Sequence, residues 1–252
     1  LSLEINYKAG IIEGYGWLGL LYNMMGETDL ALENFNQSLE IAILENDLIA
    51  IAQSLNDLAT VYLNLGQIEK SLAYYIKCLK VREQMGDEKG VATVLNNLGT
   101  IYKNQGDHEV ALQKYESSLE IQRELNNEVG ISVALGNIGS CHSALGNDSL
   151  ALKYFNEALV IDSTLHNVVG LAKCYHNLGA LRSRQKNPEL ALELYLKAYE
   201  YSYAARSREG VANTATSIGR LYLAKENYGL AKEYAETAHK QALKIGFPEN
   251  IS

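Results

Sequence analysis

The chain has 252 residues, of which 47% are hydrophobic and 21% charged, and its formal net charge at pH 7 is −8. This composition is typical of a folded protein. The acidic balance argues against a nucleic-acid partner, which requires a basic surface to replace the counterions on its phosphates, and against an anionic membrane surface. No apolar run reaches the roughly 20 residues that a membrane-spanning helix needs.

Six copies of a 40-residue unit follow one another without an insertion or deletion. They occupy residues 11–50, 51–90, 91–130, 131–170, 171–210 and 211–250, and a small residue recurs in each at Gly19, Ala59, Gly99, Gly139, Gly179 and Gly219. Residues 1–10 align in register with 121–130, so we expect them to be the last turns of a preceding copy. We therefore predict that the chain is cut from a longer array.

Each copy is predicted to be a pair of antiparallel helices. In the third copy, two segments with apolar residues at helical spacing are separated by Gly106–Asp107, a helix stop followed by a helix cap. Caps are expected before the first helices at Asp47, Asp87, Asn127, Asn167 and Ser207, and before the second helices at Asp107, Asn147, Asn187 and Asn227, with Glu27 and Gln67 as weaker versions. Because a lone helix pair cannot bury both of its faces, the copies must stack on one another.

The recurring small residue lies inside a predicted helix, where glycine costs about 1 kcal/mol relative to alanine. Five of the six copies keep glycine, which indicates that a larger side chain has no room there. We expect the second helix to cross at this point through its own small residue, which is Ala111 in the third copy. Tyr102 and Tyr115 are expected to fill the space on either side.

These residues resemble the tetratricopeptide repeat family, whose pattern the first copy carries as Tyr15, Leu18–Gly19, Tyr22, Ala31, Phe35 and Ser38. The resemblance implies an all-α fold, a right-handed α-solenoid of stacked antiparallel helix pairs, that forms a single domain over residues 1–252. The period is 40 residues instead of roughly 34, and the closing proline is absent. In this respect the chain is similar to kinesin light chains, Leu-Gly-Asn-repeat adaptors and Rap-type regulators.

In this family the first helices line a concave groove, which implies a set of ligand-facing residues here. The candidates for peptide binding are Trp17, Asn56, Asn96, Asn97, Asn137, Lys173 and Asn177. A row of carboxamides can pair with the backbone of an extended peptide of any sequence, because each offers donors and an acceptor. The alternative is that these asparagines only bridge neighbouring helices, and Trp17 could likewise be either an anchor for a ligand or a packing residue.

The family also has a clamp for acidic C-terminal tails, built from lysine, arginine and asparagine. Lys173 and Asn137 fit two of its positions, but the remaining three fall on Asn96, Thr100 and Asn177, none of which is the required residue. We therefore expect that this clamp is absent.

Catalysis, cofactors and metals are not predicted. The sequence lacks phosphate-binding, zinc-protease and serine-hydrolase motifs, and the spacing of Cys78, Cys141 and Cys174 fits buried thiols better than a disulfide framework or a zinc site. We predict a protein- or peptide-binding scaffold without nucleic-acid binding or membrane insertion, with self-association through exposed solenoid ends as a further expectation. The alternative is a ligand-responsive module of a larger bacterial sensor kinase or transcription regulator. The compartment stays open between the cytoplasm and, if a removed segment preceded Leu1, the periplasm.

Overall fold

A computed structural model describes residues 2–246, and the side chains of residues 7–244. This part of the chain contains twelve α-helices and no strand, joined by connections of two or three residues. The helices are α1 (Ser2–Met25), α2 (Thr28–Leu44), α3 (Leu48–Asn64), α4 (Ile68–Met85), α5 (Glu88–Gln105), α6 (His108–Glu124), α7 (Glu128–Ala144), α8 (Asp148–Thr164), α9 (Val168–Arg184), α10 (Pro188–Ala204), α11 (Arg208–Ala224) and α12 (Tyr228–Gly246). The predicted all-α fold is confirmed.

The helices belong to two compact units, Leu1–Ile121 and Gln122–Ser252, which we describe separately. In unit 1, α1 packs on α2 and α3 on α4, while α2 and α4 also pack on the first helix of the following pair. In unit 2, α7–α8, α9–α10 and α11–α12 are arranged in the same way. The odd-numbered helices are the first helices of the predicted copies, so each described pair is the helical hairpin that the sequence indicates.

Most of the predicted helix caps are confirmed, and the cap at Asp107 stays a prediction. The side-chain oxygens of Asp47, Asp87, Asn127, Asn167 and Ser207 each accept a hydrogen bond from the backbone amide three residues later. Among the second helices, Asn187 and Asn227 do the same. Asn147, Gln67 and Glu27 make no such bond, so the prediction for Asn147 is wrong.

The first helix differs from the other five first helices at its start. α1 runs from Ser2 to Met25 without a break, because Tyr7 stands where the later copies have a capping residue. A helix end within residues 2–10, which a remnant of an earlier copy would require, is therefore not observed. The division into six copies stays a prediction, and its last positions, 247–250, lie outside the described residues.

An aromatic ring covers the recurring glycine in four helix pairs. A β-carbon built on Gly99 would lie 2.8 Å from the ring of Tyr115, and one on Gly139 would lie 2.7 Å from that of Phe155. Gly19 is covered by Phe35 and Gly179 by Tyr195 in the same way. The predicted crossing of two small residues is thus corrected, because the aromatic ring of the second helix is what excludes a side chain at the glycine.

The same rings hold neighbouring pairs together. Phe35 packs with Leu58 and Val61 of the next first helix, and Tyr75 packs with Val94, Leu98 and Ile101. Phe155 and Tyr195 make equivalent contacts in unit 2. Complete burial of such a side chain contributes about 1.5–3 kcal/mol, so these rings are the main apolar link between one pair and the next.

A polar contact lies at the joint between pairs and was not foreseen from the sequence. Asp162 is only 1% exposed, and its carboxylate accepts hydrogen bonds from Asn167 Nδ2 at 2.7 Å and from Ser132 Oγ at 2.6 Å. A β-carbon on Gly170 would lie 2.2 Å from this carboxylate. Glycine at position 170 therefore makes room for the buried acid.

The equivalent joints carry matched residues. Gln122 bonds to Asn127 next to Gly130, and Arg82 pairs with Asp87 next to Gly90. The joint between α2 and α3 instead has alanine at both places, Ala42 and Ala50. A bulky polar residue at the end of the second helix thus occurs with glycine in the first turn of the next helix, whereas the joint between α10 and α11 has glycine with a small polar residue, Ser202 with Gly210.

Candidate peptide-binding groove

The predicted site residues lie on the first helices. In unit 1, Trp17 is 69% exposed on α1, while Asn56 on α3 and Asn96 and Asn97 on α5 are half-buried. In unit 2, Asn137 on α7 and Asn177 on α9 are half-buried and Lys173 is exposed. Each unit therefore carries amide side chains that are partly open to solvent.

Asn97 has a structural partner in the preceding helix pair. The Tyr75 hydroxyl lies 2.9 Å from Thr60 Oγ1 and also hydrogen-bonds with the Asn97 side chain. In unit 2, the Tyr195 hydroxyl is bonded in the same way to Ser217, which occupies the equivalent position. Asn97 therefore makes one contact of the helix-bridging kind. A role of Asn97 in binding a peptide stays a prediction.

Asn56 is directed toward a neighbouring carboxylate. Its Nδ2 donates to Asp57 Oδ1 at 3.3 Å, and Gln53 Nε2 donates to both oxygens of Asp57 at 3.0 Å. Burial raises the pKa of Asp57, while the two amide donors and the more distant charge of Arg82 act in the opposite direction. Asp57 is thus a half-buried carboxylate that is held by amides.

A pocket of about 410 Å³ lies between α1 and α3, and we call it the α1–α3 pocket. Gly16 lines this pocket, and the space beside it is open, since a β-carbon built at this position would meet no atom within 4 Å. Trp17, Gln53 and Asp57 are among the residues that line it. Sequence reasoning selected Trp17 but missed Asp57, although Asp57 is the one acid in a column that otherwise holds tryptophan, asparagine and serine.

The equivalent surface of unit 2 has a different character. His176 on α9 is tilted against the Tyr195 ring at 5.2 Å, and its Nδ1 lies 3.3 Å from Thr214 Oγ1. Burial lowers the pKa of His176, so its imidazole is neutral at pH 7. A second pocket, of about 690 Å³, lies between α11 and α12 beside Gly219, where Ala235 replaces the aromatic residue that covers the glycine in other pairs.

The three cysteine thiols lie inside the fold. Cys78, Cys141 and Cys174 are all buried, and none of them forms a disulfide bond. Burial, together with the neighbouring Asp162 carboxylate, raises the pKa of Cys174 to about 12. Within residues 2–246, no cluster of three or more His, Cys, Asp or Glu residues is arranged to hold a metal ion.

Among the helices described, none combines the length and the apolar character needed to cross a membrane.

Comparisons with known proteins agree with the fold described above. A family model for the tetratricopeptide repeat matches residues 11–84, 90–164, 130–204 and 170–244. No functionally curated protein matches the chain.

Three solved structures illustrate the likeness in fold. The apo form of RapI is 19% identical, with a TM-score of 0.78 over 94% of this chain and 85% of RapI. Aspartyl phosphate phosphatase F from Bacillus subtilis is 18% identical, with a TM-score of 0.75 over 92% of this chain and 59% of its own. The Rap conjugation gene regulator of plasmid pLS20, solved in complex with the Phr* peptide, is 13% identical, with a TM-score of 0.74 over 96% of this chain and 65% of its own. At these identities the likeness shows the fold alone.

Proposed function

Because the chain belongs to the tetratricopeptide repeat family, we propose that it is a non-catalytic scaffold that holds an extended segment of a protein or peptide along its first helices. The observation that carries this proposal is the open surface of unit 1, where the α1–α3 pocket and the exposed Trp17 lie on the same set of helices as Asn96 and Asn97. Small-molecule and peptide sites are typically concave and apolar, with a few polar groups that fix orientation.

The chemistry of the surface suits a peptide backbone. The half-buried Asn96, Asn97, Asn137 and Asn177 offer both donors and acceptors, so they can pair with peptide N–H and C=O groups regardless of sequence. Trp17 offers a large aromatic surface, and buried aromatic anchors dominate the energetics of many interfaces. One relative in fold is itself known in complex with a peptide, Phr*.

Two side chains of types that often act in catalysis, Cys174 and His176, make contacts within the fold. The Cys174 thiol stays protonated at neutral pH because its pKa is about 12, and the neutral His176 lies against Thr214 and Tyr195. One relative in fold is named an aspartyl phosphate phosphatase, and at 18% identity that name does not transfer to this chain.

A second candidate function is a ligand-responsive module of a larger bacterial signalling protein. It is favoured by the relative from plasmid pLS20, which is named a conjugation gene regulator and has a peptide bound. Peptide binding is common to both candidates, so the same groove is tested first.

The test uses peptides selected on the wild-type chain from a random eight-residue display library. We expect a variant with Asn97→Ala and Asn137→Ala to bind these peptides at least 10-fold more weakly, as measured by calorimetry, while its melting temperature changes little. Tyr75→Phe is the matched control, since it removes the hydroxyl partner of Asn97 and other pairs already carry phenylalanine at this position, as in Phe35 and Phe155. If the double variant keeps its affinity and loses stability, the asparagines are structural and the proposal fails.

A further inference from the structure

The α1–α3 pocket has a charge bias that a general peptide scaffold does not require. Among the described residues that line it, three are acidic, Glu13, Asp47 and Asp57, and none is basic. Its remaining lining residues are uncharged and include Trp17, Ile49 and Gln53. The pocket is therefore an acidic, aromatic-walled cavity in a position where a bound segment would pass.

We propose that the α1–α3 pocket binds a basic side chain, lysine or arginine, of the segment held by the scaffold, with its cationic group between the Asp57 carboxylate and the Trp17 indole. This inference rests on the proposed function, because the side chain belongs to the bound segment. An aromatic face attracts a cation within about 6 Å of its centroid, by about 0.5–2 kcal/mol. A carboxylate in a partly desolvated site adds a charge-assisted hydrogen bond.

Asp57 is the receptor for the cation because its negative charge is not neutralised within the fold. Its hydrogen-bond donors are the neutral amides of Gln53 and Asn56. Arg82, whose charge reaches Asp57, is itself paired with Asp87. A half-buried carboxylate held only by amides gains from a cation brought by a ligand.

The fold itself does not require a carboxylate at position 57. The equivalent positions of the next three pairs are Asn97, Asn137 and Asn177, so an amide fits this place on the first helix. The aspartate therefore adds charge where the other pairs have none. Gly16 lines the pocket without a side chain, whereas Asn56 and Asn96 occupy this column in the next two pairs.

The other two acids have different roles. Asp47 Oδ1 accepts a hydrogen bond from the backbone amide of Ala50 as the cap of α3, so this oxygen is already engaged. Glu13 is exposed to solvent on α1, where its charge is screened and contributes mainly at long range. The specific contact with a cation is thus assigned to Asp57.

The experiment uses the sole tryptophan of the chain as the reporter, since the Trp17 indole gives one side-chain N–H signal in an NMR spectrum. The probes are acetyl-Gly-Arg-Gly-amide, its lysine analogue and its citrulline analogue, the last being the neutral isostere of arginine. We expect the two cationic probes to shift the Trp17 signal and to bind at least 10-fold more tightly than the citrulline probe. Raising the salt concentration should reduce this difference.

Asp57→Asn is the matched variant, because it installs the residue of the next three pairs, and Glu13→Gln is the control. We expect Asp57→Asn to reduce the preference for arginine over citrulline to less than 2-fold, and Glu13→Gln to reduce affinity by less than 3-fold. Equal binding of arginine and citrulline probes to the wild-type chain overturns the inference without any variant, and indicates an apolar occupant. The cationic probes could bind at Trp17 while the variant with Asn97→Ala and Asn137→Ala still binds the selected peptides with wild-type affinity. That result would support the cation-binding pocket and contradict the proposed peptide-pairing function.

Discussion

The ring of Phe155 covers Gly139 so closely that a β-carbon at position 139 would lie 2.7 Å from two ring atoms and 3.3 Å from the carbonyl oxygen of Ala151. Phe155 is 1% exposed, so its ring is enclosed by the rest of the fold. The contact joins α7 to α8, and the same ring packs on Leu178 and Leu181 of α9. One aromatic side chain of α8 therefore packs against both α7 and α9. It can lie this close to α7 because residue 139 is glycine.

Gly139→Ala should destabilise the protein, and Gly219→Ala should not. Alanine gains about 1 kcal/mol in helix propensity at either site, but at position 139 overpacking against the buried ring costs about 1–3 kcal/mol, so the net loss reaches about 2 kcal/mol. At position 219, the nearest atoms to an added β-carbon are at 3.4 and 3.6 Å, an ordinary contact distance. We expect a lower urea midpoint for Gly139→Ala and an unchanged or higher one for Gly219→Ala.

Two outcomes of that comparison would contradict the role of the ring. Equal effects of the two substitutions would mean that helix propensity alone decides the result. A stabilised Gly139→Ala variant would mean that the ring accommodates a β-carbon, as Tyr75 does with Ala59 in the second pair.

The joint at Asp162 and Gly170 should show strong coupling in a double-mutant cycle. Asp162→Ala alone removes the acceptor of Asn167 and the shorter of the two hydrogen bonds of Ser132, and an unsatisfied buried group costs about 1–3 kcal/mol. Gly170→Ala alone forces a β-carbon to within 2.2 Å of the buried carboxyl group. The double variant reproduces the Ala42–Ala50 joint, so its loss of stability should be smaller than the sum of the single losses by about 1 kcal/mol or more. Additive losses in thermal unfolding would show that the two positions are independent.

Asp57→Asn should raise the melting temperature at pH 7. The pKa of Asp57 is raised in the folded chain, mainly by burial. When folding raises the pKa of a carboxyl group, the stability that the group contributes is fully present below its unfolded pKa. This contribution is lost as the pH rises through the folded pKa. The ionised form therefore carries a cost at pH 7 that asparagine does not.

The pH dependence provides the check on this prediction. The difference in melting temperature between Asp57→Asn and the wild-type chain should shrink as the pH falls toward the unfolded pKa, where both side chains are neutral. Glu13→Gln, at an exposed position of the same pocket, is the comparison variant and should change the melting temperature little at either pH. A lower melting temperature of Asp57→Asn at pH 7 would show that the carboxylate stabilises the fold.

The helix ends of the chain follow from local residues. Gly106 ends α5 with φ of 91°, a left-handed conformation that glycine adopts without a steric penalty, and Asp47 caps α3 through the amide of Ala50. Six connections have residues other than glycine in this conformation, at Asn46, Asn126, His166, Lys186, Arg206 and Glu226. Their helices still end where the 40-residue register places the end, because the packing of the next helix requires the turn.

The sequence by itself therefore determined the repeat, the helix pairs and most of their caps, since these depend on spacing and on residues within a few positions of one another. Only the tertiary structure decided what covers each glycine, because Phe155 and Gly139 lie 16 positions apart and meet through the packing of two helices. It also decided the roles of Asp57 and Asp162, which are both aspartates inside a helix and which their neighbours in the sequence do not distinguish. Asp162 is buried at a joint with three donors, whereas Asp57 lines a pocket open to solvent, and that difference arises from which helices pack around each carboxylate.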